Sequence, residues 1–132
     1  MENKYINRYR TFCKCLDNLK KSKQANPNED FVLEGTIMNF NLTFDISWKV
    51  MKDILVQYYA ITGFVAGSPR EVLRESFQAN LIEGDEWMEM LKVRNLLAHD
   101  YDGIIVKNSC QTIVDVYITK FEEFQEKVEN LF

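Results

Sequence analysis

Apolar residues in this chain recur three and four positions apart, the spacing that places them on one face of an α-helix, and no alternating strand pattern lasts. The first stripe, Tyr5, Tyr9, Phe12, Leu16 and Leu19, predicts an opening helix, and the polar run 21–30 (KSKQANPNED) predicts a connection. Leu33, Ile37, Phe40, Phe44, Trp48, Met51, Leu55, Tyr58 and Ile61 then predict a second helix of about thirty residues. At 1.5 Å per residue that is ~45 Å, a length that suits the spine of a bundle. TGFVAG (62–67) breaks the pattern. Ser68-Pro69-Arg70-Glu71 reads as a capping box with proline at the first helical position, opening a short helix that ends near Asn80. Glu83-Gly84-Asp85 resets the chain for a fourth helix at Trp87, and Cys110, Val114, Tyr117, Phe121, Phe124, Val128 and Leu131 form the stripe of the last. The expectation is an all-α, antiparallel up-and-down bundle of about five helices with a four-helix core, a single domain over residues 1–132.

One stretch departs from this pattern. In 87–103 (WMEMLKVRNLLAHDYDG), Arg94 stands where an apolar residue belongs, since its helical neighbours Met90, Leu91, Leu97 and Ala98 are all apolar. A guanidinium there lies in a core or an interface and needs an acidic partner or a ligand to face. The same stretch holds the only histidine, His99, four residues after Asn95 and five after Arg94. Five residues are roughly 140° around a continuous helix, so Arg94 and His99 share a site only where the helix ends or loosens near His99. Asp100, Asp102 and Gly103 are of the types that favour such an end.

Composition narrows the class. The 132 residues are 46% hydrophobic and 13% aromatic, which is globular rather than disordered. No run reaches the ~18 apolar residues of a membrane span, and MENKYINRYR has no signal-peptide core. Three cysteines without framework spacing read as reduced thiols in a cytoplasm, and one histidine makes a Cys/His zinc site a poor fit. The net charge of −4 argues against a surface coated for nonspecific nucleic-acid binding. Charge is uneven, however: residues 1–24 hold seven cations and two acids, a balance of +5, so the rest carries −9. That basic end reads either as a solvated helix face or as a wall for an RNA strand or acidic partner.

The Arg94 stretch has chemistry available to it. Arginine clamps a phosphate bidentately, and histidine moves a proton near neutral pH. RNA uses both, because its 2′-hydroxyl attacks the adjacent phosphate when a base is at hand. Arg94 would neutralise the phosphorus-bound oxygens, His99 would handle the proton, and Asn95 would orient the ring or the phosphate, with no metal or cofactor. The alternative stays open: Arg94 paired with a buried carboxylate and His99 satisfied at a helix end. There is no Gly-rich phosphate loop, no G-x-S-x-G and no histidine pair. The stripe Phe40, Phe44, Trp48 is expected to be core rather than a stacking platform.

Arg94-Asn95-Leu96-Leu97-Ala98-His99 resembles the Arg-polar-x-x-x-His signature of the HEPN superfamily of helical-bundle nucleotide-binding and RNase domains, and Tyr101 extends it to Arg-x4-His-x-Tyr. Phe40-Asn41-Leu42-Thr43-Phe44-Asp45-Ile46-Ser47-Trp48-Lys49 is similar to the F-E-F-T-F-E-L-A-W-K of one branch, the nucleotidyltransferase substrate-binding proteins. Ser68-Pro69-Arg70-Glu71-Val72 resembles its S-P-R-E-V, and Trp87 with Met90-Leu91 its approach to the Arg-Asn pair. The resemblance implies a homodimer whose Arg/His pairs line a shared cleft, and a minimal nucleotidyltransferase as partner. It further implies that Arg94 and His99 cut RNA without metal, with Asn95 assisting, and that the partner silences the toxin by adding AMP to Tyr101. Leu97-Ala98 and Asp100 stand where the family often has other residues.

Two functions are therefore expected, the first preferred: a metal-independent RNase toxin of a toxin–antitoxin pair, or a non-catalytic subunit holding a nucleotide or other substrate for the partner. A pure interaction module is the blander third.

Overall fold

The computed structural model describes residues 4–61, 63, 67–99 and 103–132, and of Lys4, Tyr5 and His99 the backbone only. Helix α1 spans Lys4–Lys20 and buries Phe12, Leu16 and Leu19 completely. A single 3₁₀ turn, Lys21–Lys23, leads into the polar connection. Helix α2, Val32–Asp53, starts after Phe31 in the left-handed region (φ 69°) and carries Glu34 in its first turn, where the helix dipole favours an acid. It continues through a π turn, Ile54–Tyr58.

The rod then stops three residues short of Ile61. Ala60 adopts φ 56°, turning the chain so that the Ile61 N–H donates to the Leu55 carbonyl, 2.9 Å away. Helix α3 is Pro69–Gln78, with proline in the first turn as expected, and Asn80 past its end at φ 60°. The capping box does not form: Ser68 makes no side-chain cap bond, and its carbonyl accepts the Val72 N–H instead. The Glu71 carboxylate that would have completed the box accepts from Arg74, 2.9 Å away, one turn on.

Helix α4 is Glu86–His99. Helix α5, Gly103–Thr112, passes through a second π turn, Ile113–Tyr117, into α6, Ile118–Leu131; the backbone stays right-handed helical at both junctions, so the three form one rod. The sequence stripe placed Val114 in the core. Ile113, fully buried, takes that place instead, three residues after Cys110 and four before Tyr117, and the π turn lets the adjacent Tyr117 and Ile118 both be buried.

Helix α2 is the spine, touching α1, α3, α4 and α5. Its Phe40 and Phe44 enter a shared aromatic core with Phe12, Trp87, Tyr117, Phe121 and Phe124. Phe121 is its hub. Its ring lies 5.4 Å from Trp87 at 83°, and 6.2 Å from both Phe12 and Phe40. Edge-to-face contacts of this kind add to the burial of the rings themselves.

The basic N-terminal stretch is partly tied into the bundle and partly a solvated face, with Arg10, Lys14 and Lys21 exposed. Arg8 reaches the nearly buried Asp53 at 3.1 Å, and Lys20 and Lys23 reach Glu122 at 3.3 and 3.7 Å. Part of the +5 balance is thus neutralised by acids from α2 and α6.

Removing the hub ring leaves a cavity between three helices that cannot easily collapse. Phe121→Ala is expected to lower the unfolding free energy by about 3–5 kcal/mol, read from urea denaturation. A loss below about 1 kcal/mol would show that the ring stack is not the centre of the core.

Candidate functional site

Residues three and four apart on α2 put Asp45, Trp48 and Lys49 on one side of that helix, and Arg94 and Asn95 face them from α4. The Arg94 guanidinium is held in a fork. Its Nε donates to Asp45 Oδ1 at 3.0 Å and its Nη2 to Oδ2 at 2.9 Å. This planar two-point geometry is specific to arginine and a carboxylate. Hydrogen bonding to Asp45 raises the Arg94 pKa further above its ordinary value, outweighing the opposing effect of burial. The charge is permanent.

Arg94 therefore has the acidic partner its apolar surroundings demanded, but the pair is not sealed. Met90, Leu91 and Leu97 are buried beside it, whereas the Arg94 and Asp45 side chains keep 33% and 35% of their exposure. The two bonds to Asp45 use two of the five guanidinium N–H donors, so three are left to face something other than Asp45.

A groove lies on each side of the pair. Toward the C-terminal end of α2, a cavity of about 300 Å³ is lined by Phe44, Asp45, Trp48, Lys49, Pro69, Leu91, Arg94 and Asn95. Pro69 brings the first turn of α3 to its edge. Toward the N-terminal end of α2, a more open groove of about 390 Å³ is lined by Glu34, Ile37, Met38, Asn41, Leu42, Asp45 and Leu97. Its rim is apolar and wet: Met38 is 63% exposed, Leu42 52% and nearby Leu96 46%. The Asn41 Oδ1 is buried there without a hydrogen-bond partner. Asp45 lines both grooves, so the ion pair is the saddle between them.

Arg94 and Asn95 are thus brought into one groove. His99 is the last residue of α4, ~7.5 Å further along the axis at 1.5 Å per residue. Its side chain lies outside the described residues, as do Asp100, Tyr101 and Asp102 in full. Two residues were missed by sequence reasoning. Asp45 sits inside the motif that carries the family resemblance, but a partner 49 residues away leaves no mark on local periodicity. Trp48 was read as core with Phe40 and Phe44; those two are fully buried, while Trp48 packs against the same core but is only half-buried and also lines the groove. None of the three thiols lines either groove. Cys13, Cys15 and Cys110 are unpaired, and burial pushes the Cys110 thiol up to about 11, which keeps it protonated at neutral pH.

Over residues 5–130 the chain matches the family described as nucleotidyltransferase substrate binding protein like. Two solved structures share the fold. One is a mutant of the toxin–antitoxin pair MntA–HpeT, 19% identical, with 96% of this chain and 97% of that one covered and a TM-score of 0.76. The other is the tri-AMPylated HEPN toxin of Shewanella oneidensis in complex with MNT antitoxin, 19% identical, with 98% and 99% covered and a TM-score of 0.77. Among curated proteins, nothing matches. Among the described residues no helix is long and apolar enough to cross a membrane.

A pair this exposed adds little to stability, at most about 1 kcal/mol. Asp45→Ala is expected to stay within that limit in urea denaturation. A loss of several kcal/mol would make the pair a structural staple between α2 and α4 rather than a groove feature.

Proposed function

The chain belongs to the nucleotidyltransferase substrate binding protein like family, and on that premise we propose that it is the toxin of a toxin–antitoxin pair: a metal-independent endoribonuclease with a minimal nucleotidyltransferase as its partner. The observation that carries this reading is the guanidinium of Arg94, fixed by Asp45 at the saddle of two grooves with three N–H donors beyond that pair. A fixed, partly exposed cation beside a groove suits a phosphodiester, whose transition state gathers charge on the non-bridging oxygens. Holding the donor in place beforehand removes reorganisation from the reaction step.

The chemistry then runs on RNA's own hydroxyl. The ribose 2′-oxygen forms a bond to phosphorus as its proton passes to His99, and the bond from phosphorus to the 5′-oxygen breaks as that oxygen takes a proton from water, His99 then returning its proton to the solvent. The products are a 2′,3′-cyclic phosphate and a 5′-hydroxyl. Arg94 binds the non-bridging oxygens, Asn95 helps orient the phosphate, and Asp45 acts as a positioning residue through Arg94. Tyr101, two residues beyond His99, is the acceptor on which the partner places AMP from ATP, with pyrophosphate leaving. The added phosphate brings a negative charge two residues from the histidine in sequence and would repel the RNA backbone.

A homodimer fits the same surface. Met38, Leu42 and Leu96 expose apolar area around the groove on the His99 side of the saddle, and a second copy seated there would cover it and enclose the site. The second reading, a non-catalytic subunit that holds a nucleotide for its partner, is favoured by the smaller groove. At about 300 Å³ it is at the lower end of small-molecule sites.

Protein purified without its partner is expected to degrade RNA in EDTA, leaving cyclic phosphate ends, and Arg94→Ala or His99→Ala should slow this at least ~100-fold with an unchanged melting temperature. Nuclease-free protein that leaves RNA intact but binds ATP would support the second reading instead. Leu42→Glu is expected to shift the protein from dimer to monomer in sedimentation at micromolar concentration. A wild-type monomer would rule out the shared cleft.

A further inference from the structure

The groove on the far side of Arg94 from His99 has features that phosphate binding alone does not require. Its wall is an indole, Trp48, one turn along α2 from Asp45 and half-buried, while Phe44 beneath it is fully buried. Pro69 supplies a flat apolar surface at its edge. Lys49, exposed, holds its Nζ over the Trp48 ring, 5.9 Å from the centroid, so the aromatic face carries a second cation on a flexible stem, which a stacking base displaces toward the backbone. Asn95, also exposed, places an amide in the same cavity, next to Arg94. An aromatic plane, two cations and one amide within about 300 Å³ are the elements of a slot for one nucleotide: a π-face to stack on, charge for the backbone, and a donor–acceptor pair for a base edge.

We infer that this groove is a nucleobase slot in which Trp48 stacks one base flanking the phosphate held by Arg94, while Lys49 engages the next backbone charge and Asn95 meets the base edge. The inference deepens the ribonuclease reading and rests on it for the identity of the ligand. Helix polarity sets the side. α2 and α4 run antiparallel at this contact, because Trp48 and Lys49 lie with Leu91 on one side of the pair while Leu42 and Met38 lie with Leu97 on the other. The slot therefore takes the base on the flank away from the histidine, and selectivity falls on one nucleotide beside the cut.

The two tryptophans make this measurable. Trp87 is 2% exposed in the core, so quenching by a nucleotide in solution belongs to Trp48. Intact protein titrated with 2′-O-methyl dinucleotides, which it cannot cleave, should show saturable quenching that Trp48→Leu abolishes and Trp48→Phe removes from the emission without loss of binding. On cleavable RNA, Trp48→Leu should raise KM on the order of 10-fold and flatten the preference at one flanking nucleotide, whereas Trp48→Phe keeps both near wild type. Melting temperatures of the two variants separate stacking from packing. RNA cleaved by Trp48→Leu with unchanged KM and unchanged flanking preference overturns the slot and leaves the ribonuclease reading standing. Saturable quenching by the dinucleotides in protein that cleaves no RNA supports the slot and removes the ribonuclease reading.

Discussion

A guanidinium flanked by leucines and methionines is oriented by a carboxylate, and in this bundle that carboxylate is Asp45, across the contact between α2 and α4. Both partners of a sealed ion pair are spent on each other. Here the pair keeps about a third of its exposure on each side, so Asp45 fixes the direction of Arg94 without using up its donors. The balance is set by the helices. The buried Met90, Leu91 and Leu97 bring α4 down onto the core, and the spine α2 presents Asp45 at the height where the two helices part into grooves.

The rest of the architecture serves that contact. α2 is held on its other sides by α1, α3 and α5, with the aromatic stack around Phe121 at the centre. The cations of the N-terminal stretch tie α1 to α2 and α6 through Asp53 and Glu122. Three of the seven N-terminal cations are thus engaged in packing, and Arg94 and Lys49 are the cations of the groove. A chain of net charge −4 can then offer a phosphate a local welcome without attracting nucleic acid over its whole surface.

Much of this was legible in the sequence, for a physical reason. Helical stripes such as Phe12, Leu16, Leu19 and Phe40, Phe44, Met51 follow from periodicity, and each of these side chains is fully buried. Chain breaks followed from proline and glycine. Features set by tertiary contact were not legible. The π turns at Ile54–Tyr58 and Ile113–Tyr117 left no mark on the stripes, and at Val114 or Ile113 the three-and-four spacing allowed either residue, of which Ile113 is the buried one. Ser68 does hold the N-cap position of α3, but without a side-chain bond, and Glu71 pairs with Arg74 instead of completing a box. At the site, Arg94 stood out because it broke a pattern, whereas Asp45 and Trp48 conformed to theirs. A polar residue on an exposed face and an aromatic in a stripe acquire meaning only when the opposite helix is in place.

The most direct test follows the Arg94 side chain itself. In ¹⁵N-labelled full-length protein, the Arg94 Nε–H resonance, assigned by its loss in Arg94→Lys, is recorded while an uncleavable 2′-O-methyl oligoribonucleotide is added. The expected result is a saturable shift of that resonance that persists as a protected signal, because the Asp45 bond stays in place while the remaining donors engage phosphate. An Arg94 resonance that stays unmoved at saturating oligonucleotide, with other resonances reporting binding elsewhere, would contradict it.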